Sequence, residues 1–325
     1  MRKLPKHHLT LLVGVPAYAL ILYEMLNRAD FANLAALTRN ADWGVLSLAL
    51  ALAAALILIN GWFLKEVLAL HGARLTLPEA VGIWLTTVTT GIITFGLSGT
   101  AIVFYKARQK GLRVGRAAIA TITYYLFFSV ACLIFAFVAS GIIAVESVRL
   151  LPVLAKLSAI LAILILVIFI LAGQKRIREF FLDQAKKHLP SSDDESSDMN
   201  LLPVTRSAVK ITAIAMSALI ASAGILQLVL SAFHISVSPA ITLENFVVSE
   251  IIALFSPSGG GFGFVELGLT GLFTASGLAA NQAALVVFTY RLFTLWVEVL
   301  AGYGVLLAYG FRFVREYRNG LSRNE

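Results

Sequence analysis

Residues 257 to 266 read Pro-Ser-Gly-Gly-Gly-Phe-Gly-Phe-Val-Glu, and this stretch decides the fold. Four of its residues are glycine, and the apolar segments on either side are too short to be separate membrane spans. Glycine adopts positive φ without steric cost, and proline ends an arriving helix because it lacks an N–H donor. We therefore predict a helix from Ile241 to Pro257 and a second helix that starts near Phe262 and carries Glu266. Such a break within a membrane needs cover by protein or by a water-filled cavity, so it marks the candidate functional centre.

The composition is that of a polytopic membrane protein. The chain has 325 residues, of which 59% are hydrophobic and only 14% are charged. Several apolar runs reach the roughly 20 residues that cross a bilayer, which excludes an ordinary soluble domain. Because Cys132 is the only cysteine, a disulfide framework and a cysteine-based metal site are excluded. The net charge of +8 is assigned to cytoplasmic loops rather than to nucleic-acid binding.

The apolar pattern predicts an all-α fold with six transmembrane spans and two re-entrant helical hairpins. The hairpins are 80–105, with Gly91, Gly96 and Gly99 at the bend, and 241–276. We predict that both are re-entrant because each is too short to cross the membrane twice. The six predicted spans are 9–26, 43–64, 117–140, 151–172, 207–230 and 283–311.

The distribution of basic residues supports this topology. With both hairpins re-entrant, 20 of the 26 Lys and Arg residues lie on one face, and only Arg28, Arg39 and Arg149 lie on the other. The positive-inside rule then places both termini in the cytoplasm, and we expect a multi-pass protein of the bacterial cytoplasmic (inner) membrane.

An internal repeat divides the single membrane domain, residues 1–325. Gly111, Thr123 and Tyr124 recur as Gly277, Thr289 and Tyr290 at an offset of 166, and the same offset lays 43–64 over 209–230. The first repeat covers 9–140, and the second covers 151–172 together with 207–311. Because the halves enter from opposite faces, this is an inverted repeat with broken helices, an arrangement typical of transporters. Between them lies the cytoplasmic linker 173–206, whose acidic segment 191–198 is interpreted as solvated.

Charged residues within the apolar segments are candidates for function, because a charge at the centre of a membrane helix costs at least about 2.5 kcal/mol. Arg291 and Glu298 are seven residues apart and are predicted to share a helix face, and Arg291 is placed to pair with Glu266. The alternative is that these residues only fix the hairpin against the last span. The gating or coupling candidates are Glu250, Glu266, Tyr290 and Glu298.

The glycine-rich break itself is a candidate anion site. The second half-helix directs its N-terminal amides and the positive end of its dipole toward the midplane, where they favour a phosphate. A guanidinium adds a charge-assisted contact. The alternative role for the glycines is close helix packing. The predicted lipid- or phosphate-binding residues are Ser258, Gly259, Gly260, Gly261, Gly263 and Arg291.

Residues 257 to 266, followed by Gly277-Leu278 and Tyr290-Arg291, resemble the signature of the lysylphosphatidylglycerol synthase transmembrane family, a flippase-like membrane domain with stand-alone bacterial inner-membrane members. The resemblance covers nearly the whole chain and implies lipid translocation, or a membrane module beside lipid-modifying enzymes. We expect neither an aminoacyl-transferase nor a glycosyltransferase domain, so the synthase activity is not carried over. The first hairpin also lacks a proline and a carboxylate that match Pro257 and Glu266.

Three functions follow from this reading. The first is a lipid transporter that moves a phospholipid or another lipid-phosphate between leaflets. The alternatives are a non-catalytic scaffold or accessory subunit for a lipid-modifying enzyme, and a membrane lipid transferase. No catalytic constellation is recognised, so we expect neither an enzyme nor a cofactor or metal. The expected partners are membrane lipids with an anionic or phosphate-bearing head group and a possible lipid-synthesis enzyme, without nucleic acid.

Overall fold

A computed structural model describes residues 38–93, 99–143, 205–256 and 261–308. Within these ranges the chain forms eight helices and no strand, as an all-α fold requires. The helices are α1 (Trp43–Leu70), α2 (Leu77–Ile93), α3 (Gly99–Gln109), α4 (Val114–Ile143), α5 (Thr205–Ala232), α6 (Pro239–Phe255), α7 (Phe264–Ala275) and α8 (Ala280–Ala308).

Four of these helices are long and apolar enough to cross a membrane. Their candidate spans are Trp43–Leu70, Val114–Ala139, Ser207–Ala232 and Ala280–Ala308. They correspond to four of the six predicted spans, while 9–26 and 151–172 lie outside the described residues, as does the linker up to residue 204. Many large apolar side chains face outward, among them Ile122, Val209 and Leu300, each at least 65% exposed. An apolar outer surface of this kind fits a lipid environment.

The centre of the described structure is an antiparallel pair, α1 and α5. The Asp42 amide at the start of α1 donates to the Ala232 carbonyl at the end of α5, at 2.8 Å. At the opposite end Lys210 of α5 forms an ion pair with Glu66 of α1 at 2.9 Å. A Cβ at Gly224 of α5 would lie 3.3 Å from Leu52 of α1, so a glycine at this position allows the two helices to approach closely.

Each predicted hairpin is a pair of shorter helices. Helices α2 and α3 occupy 80–105, with residues 94–98 between them outside the description, and α6 and α7 occupy 241–276. Helix α6 begins at Pro239, where Ser238 caps it by accepting from the Ile241 amide at 3.2 Å. A proline in the first turn is tolerated because its missing N–H has no partner there. Helix α7 begins at Phe264, two residues after the predicted start.

The helices also correspond in length between the two halves. Helices α1 and α5 each have 28 residues, and α2 and α6 each have 17. The turn after the first helix of each half contains a residue with positive φ, Gly72 at 96° and His234 at 56°. The turn after the third helix does so too, with Gly111 at 89° and Gly277 at 100°.

The offset of 166 residues holds for the starts of α4 and α8 but not for the starts of α1 and α5. Trp43 and Thr205, which begin α1 and α5, differ by 162, whereas Val114 and Ala280, which begin α4 and α8, differ by 166. The four extra residues therefore belong to the region of α6, α7 and the break between them.

Candidate functional site

The start of α7 explains two of the predicted glycines. Gly261 has φ 71° and Gly263 has φ 86°, backbone conformations that side chains with a Cβ rarely adopt. A Cβ at Gly261 would also lie 2.5 Å from a methyl group of Val265 and 3.0 Å from Ala253. Gly261 is therefore needed both for its backbone conformation and for close packing. Four residues of the break lie outside the description: Pro257, Ser258, Gly259 and Gly260.

Glu266 fixes the start of α7 and also holds the neighbouring helix. Its Oε2 accepts from the Gly263 amide at 2.6 Å, in the manner of a capping box. Its Oε1 accepts from Arg291 Nε at 2.7 Å. The ion pair predicted from the sequence is present, and its side chains are only 11% exposed for Arg291 and 12% for Glu266. Both oxygens of one carboxylate are thus engaged at the helix break.

A π-helical turn, Leu292–Trp296, directly follows Arg291 in α8. In it the Val297 amide donates to the Leu292 carbonyl, five residues earlier. Such turns add a residue to the helix and occur often at functional sites. This turn alters the register between Arg291 and Glu298, and the two side chains contact different helices. The shared helix face of Arg291 and Glu298 stays a prediction.

Glu298 is buried, with only 4% of its surface exposed, and it contacts the first half of the chain. Its Oε1 accepts from Asn60 Nδ2 of α1 at 3.4 Å and from Trp84 Nε1 of α2 at 3.3 Å. The indole of Trp84 also packs against Tyr124 of α4, with ring centroids 6.2 Å apart. Glu298 thus contacts the first half of the chain, whereas Glu266 contacts the second half. The first hairpin itself has no carboxylate at the position that matches Glu266.

The second part of α8 packs closely on α2. Thr89 Oγ1 donates to the Val299 carbonyl at 3.2 Å. A Cβ at Gly302 would collide with Thr89 Oγ1 and with the Leu85 carbonyl oxygen, so only glycine permits this contact. Helix α8 therefore joins the two hairpins, α7 through Arg291 and α2 through Glu298 and Gly302.

Sequence reasoning did not identify Asn60 or the role of Trp84. Asn60 is a polar residue within an otherwise apolar span, which is a usable signal because such residues form hydrogen bonds between membrane helices. The hydrogen bond from the Trp84 indole N–H to Glu298 has no comparable signal in the sequence.

Glu250 and Tyr290 lie near the ion pair without belonging to it. Tyr290 is 3% exposed, and Glu250 on α6 is half-buried. Within the described part of the chain Glu250 has no hydrogen-bond partner. Of the four gating or coupling candidates, Glu266 and Glu298 are thus held by hydrogen bonds and Glu250 is not.

These features define a multi-pass α-helical membrane protein with a buried ion pair at a helix break. The family model described as the lysylphosphatidylglycerol synthase TM region matches residues 9–302, and the chain belongs to this family. The resemblance inferred from residues 257 to 266 is thereby confirmed. Among curated proteins no match to the chain is found.

Proposed function

We propose that this protein translocates a phospholipid or another lipid-phosphate between the leaflets of its membrane. The observation that carries the proposal is the buried ion pair between Arg291 and Glu266 at the start of α7. A guanidinium within an apolar domain is costly unless it has a function or a partner, and guanidinium matches phosphate as well as carboxylate. The family takes its description from lysylphosphatidylglycerol synthase, and this supports a substrate lipid with a phosphodiester head group.

The proposed topology has six spans and two re-entrant hairpins in an inverted repeat. The equal lengths of α1 and α5 and of α2 and α6 support it. The antiparallel contact of α1 with α5 supports it as well, since equivalent spans of an inverted repeat run in opposite directions. In this topology both termini are cytoplasmic, and the starts of α3 and α7 lie near the midplane.

The phosphate would bind where α7 begins. There the N-terminal amides and the positive end of the helix dipole face the break, and Arg291 lies beside them. From the sequence we predict that this site also includes Ser258, Gly259 and Gly260. The head group would cross through the protein while the acyl chains remain in the surrounding lipid.

Glu266 would act as the gate, because it occupies the guanidinium that the phosphate needs. An incoming phosphate competes with Glu266 Oε1 for Arg291, and Oε2 retains the Gly263 amide. The displaced Glu266 carboxylate would keep the Gly263 amide and the positive end of the α7 dipole as its contacts. The release of Arg291 by Glu266 would also remove the ion pair that joins α7 to α8.

The test is a lipid-flipping assay with the purified protein in liposomes. The liposomes contain a trace of lipid with a labelled head group, and quenching from outside removes the signal of the outer leaflet. The labelled lipids tested are anionic, zwitterionic and lysylated phospholipids and a polyprenyl phosphate. We expect flipping of at least one phosphate-bearing lipid, with loss of flipping in Arg291→Ala and partial activity in Arg291→Lys. Glu266→Gln should also reduce flipping, because the gate and the start of α7 are both disturbed.

Lys210→Ala is the matched control, since it removes another intramembrane cation that is paired with a glutamate. Lys210 lies at the contact of α1 with α5, away from the break, and its side chain is 52% exposed. It should leave flipping unchanged. Absence of flipping for every lipid, in a folded parent protein, would contradict the proposal and favour the scaffold or transferase.

A further inference from the structure

Helix α8 contacts the start of α7 at a second point besides the ion pair. The rings of Phe262 and Trp296 pack edge to face, with their centroids 5.7 Å apart. Edge-to-face aromatic pairs are favourable because the positive edge of one ring meets the negative face of the other. Phe262 lies between Gly261 and Gly263, the two glycines with positive φ. Trp296 therefore lies at the helix break, beside the residues that form the proposed phosphate site.

The π turn explains why one helix reaches the break with two side chains. Arg291 directly precedes the turn, and Trp296 is its last residue. Hydrogen bonds in a π turn join residues five apart, so residues five apart lie nearly above one another, whereas in an α-helix they point in different directions. Arg291 and Trp296 are five residues apart, and they contact Glu266 and Phe262 of the same short segment. The turn thus presents a guanidinium and an indole ring to one site.

Trp296 also brings a hydrogen-bond donor to this site. Its indole N–H has no acceptor among the described residues. The indole N–H groups of Trp62 and Trp84, in contrast, each donate to a glutamate, at 2.9 Å and 3.3 Å. Trp296 and Phe262 are both only partly buried, so their rings retain surface that a ligand can cover. A tryptophan here combines an apolar ring with a polar N–H.

From this arrangement we propose that Trp296 makes the site selective for lipid-linked phosphate over free phosphate. The phosphate contacts Arg291 and the indole N–H, while the glycerol backbone and the first acyl carbons of the same lipid pack on the rings of Trp296 and Phe262. Inorganic phosphate has only the polar contacts. The inference rests on the proposed function and assigns the residue that recognises the lipid part of the substrate.

The experiment compares two ligands by calorimetric titration of the full-length protein in detergent. The ligands are dihexanoylphosphatidylglycerol, kept below its critical micelle concentration, and inorganic phosphate. We expect the parent protein to bind the lipid at least about tenfold more tightly, because burial of as few as two methylene groups contributes that much. The ratio of the two affinities is the readout, since a residue that only supports Arg291 would change both affinities alike.

Two variants of Trp296 separate its ring from its N–H. Trp296→Phe keeps a ring and removes the donor, so both ligands should bind several-fold more weakly and the ratio should stay near that of the parent protein. Trp296→Ala removes the ring as well, so the ratio should fall towards unity. Phe288→Ala is the matched control, because Phe288 is an aromatic residue of the same helix that is 53% exposed. It should keep the parent ratio.

An unchanged ratio in Trp296→Ala would overturn the inference and leave the proposed function intact, since Arg291 would still bind the phosphate. A parent protein that binds inorganic phosphate as tightly as the lipid would overturn it too. If Trp296→Ala does not fold, unchanged affinities in Trp296→Phe would show that the indole N–H does not contact the phosphate, which contradicts the proposed contact. Absence of binding of either ligand to the parent protein, together with absence of flipping in liposomes, would count against both proposals.

Discussion

Arg291 Nε lies 2.7 Å from Glu266 Oε1, and the opposite oxygen of the same carboxylate accepts from the Gly263 amide at 2.6 Å. One side chain thus starts helix α7 and attaches it to helix α8. The charge at the break and the geometry of the break are therefore set by the same residue. A change in the partner of Arg291 must alter how α7 is held, which is what a gate requires.

The first prediction concerns the stability of this junction. In Glu266→Gln one amide oxygen must serve both Arg291 and the Gly263 amide, and the guanidinium loses the negative charge of this carboxylate. Removing one member of a buried ion pair costs about 3–5 kcal/mol. We expect a reduced free energy of unfolding in a denaturing-detergent titration and a lower melting temperature.

Glu79→Gln is the matched control for that prediction. Glu79 also starts a helix, because its Oε2 accepts from the Thr76 amide at 2.9 Å, and its Oε1 accepts from Lys110 at 2.6 Å. This pair is exposed, at 41% for Glu79 and 36% for Lys110, so solvent screens it. The melting temperature should change little. Equal losses in Glu79→Gln and Glu266→Gln would show that capping, and not the buried charge, determines the effect.

The second prediction separates charge from hydrogen bonding at Glu298. Glu298→Gln keeps an oxygen that accepts from Asn60 and Trp84, whereas Glu298→Leu leaves both donors unpaired. Each unpaired buried donor costs about 1–3 kcal/mol. We therefore expect a much larger fall in melting temperature for Leu than for Gln. A larger loss in Gln than in Leu would contradict the hydrogen-bonding role assigned to Oε1.

The sequence predicted the helices and the ion pair more fully than the contacts between the two halves. Arg291 and Glu266 were identifiable because charges are rare in apolar segments, and the break was identifiable from Gly261 and Gly263. The contact of Glu298 with Trp84 was not, because the two residues are 214 positions apart in the sequence and lie in different segments. The π turn at Leu292–Trp296 was not predicted either.

The third prediction tests the close contact of α8 with α2. Gly302→Ala places a Cβ against the Leu85 carbonyl oxygen and Thr89 Oγ1, whereas Gly304→Ala meets nothing within 4 Å. Both glycines lie in the same helix, so the gain in helix propensity is the same for the two variants. We expect Gly302→Ala to lose about 1–3 kcal/mol through overpacking, and Gly304→Ala to be neutral or slightly stabilised. Unfolding in denaturing detergent measures both, and similar stabilities would contradict the contact.

The last prediction is a pH dependence of stability that originates outside the spans. Burial lowers the pKa of His71 at the end of α1, and the positive charge of Arg116 lowers it further. The neutral ring contacts Thr123 Oγ1 at 3.1 Å. Because the unfolded chain binds a proton near pH 6.5 and the folded protein binds it only at lower pH, stability is fully present above 6.5. It is lost as the pH falls from 6.5 through the pKa of the folded state.

The melting temperature, measured from pH 8 to pH 5, should therefore decline more in the parent protein than in His71→Gln, which has no titrating ring. Thr123→Val keeps the buried histidine and should keep the pH dependence while lowering the melting temperature at every pH. An unchanged slope in His71→Gln would assign the acid sensitivity to another group.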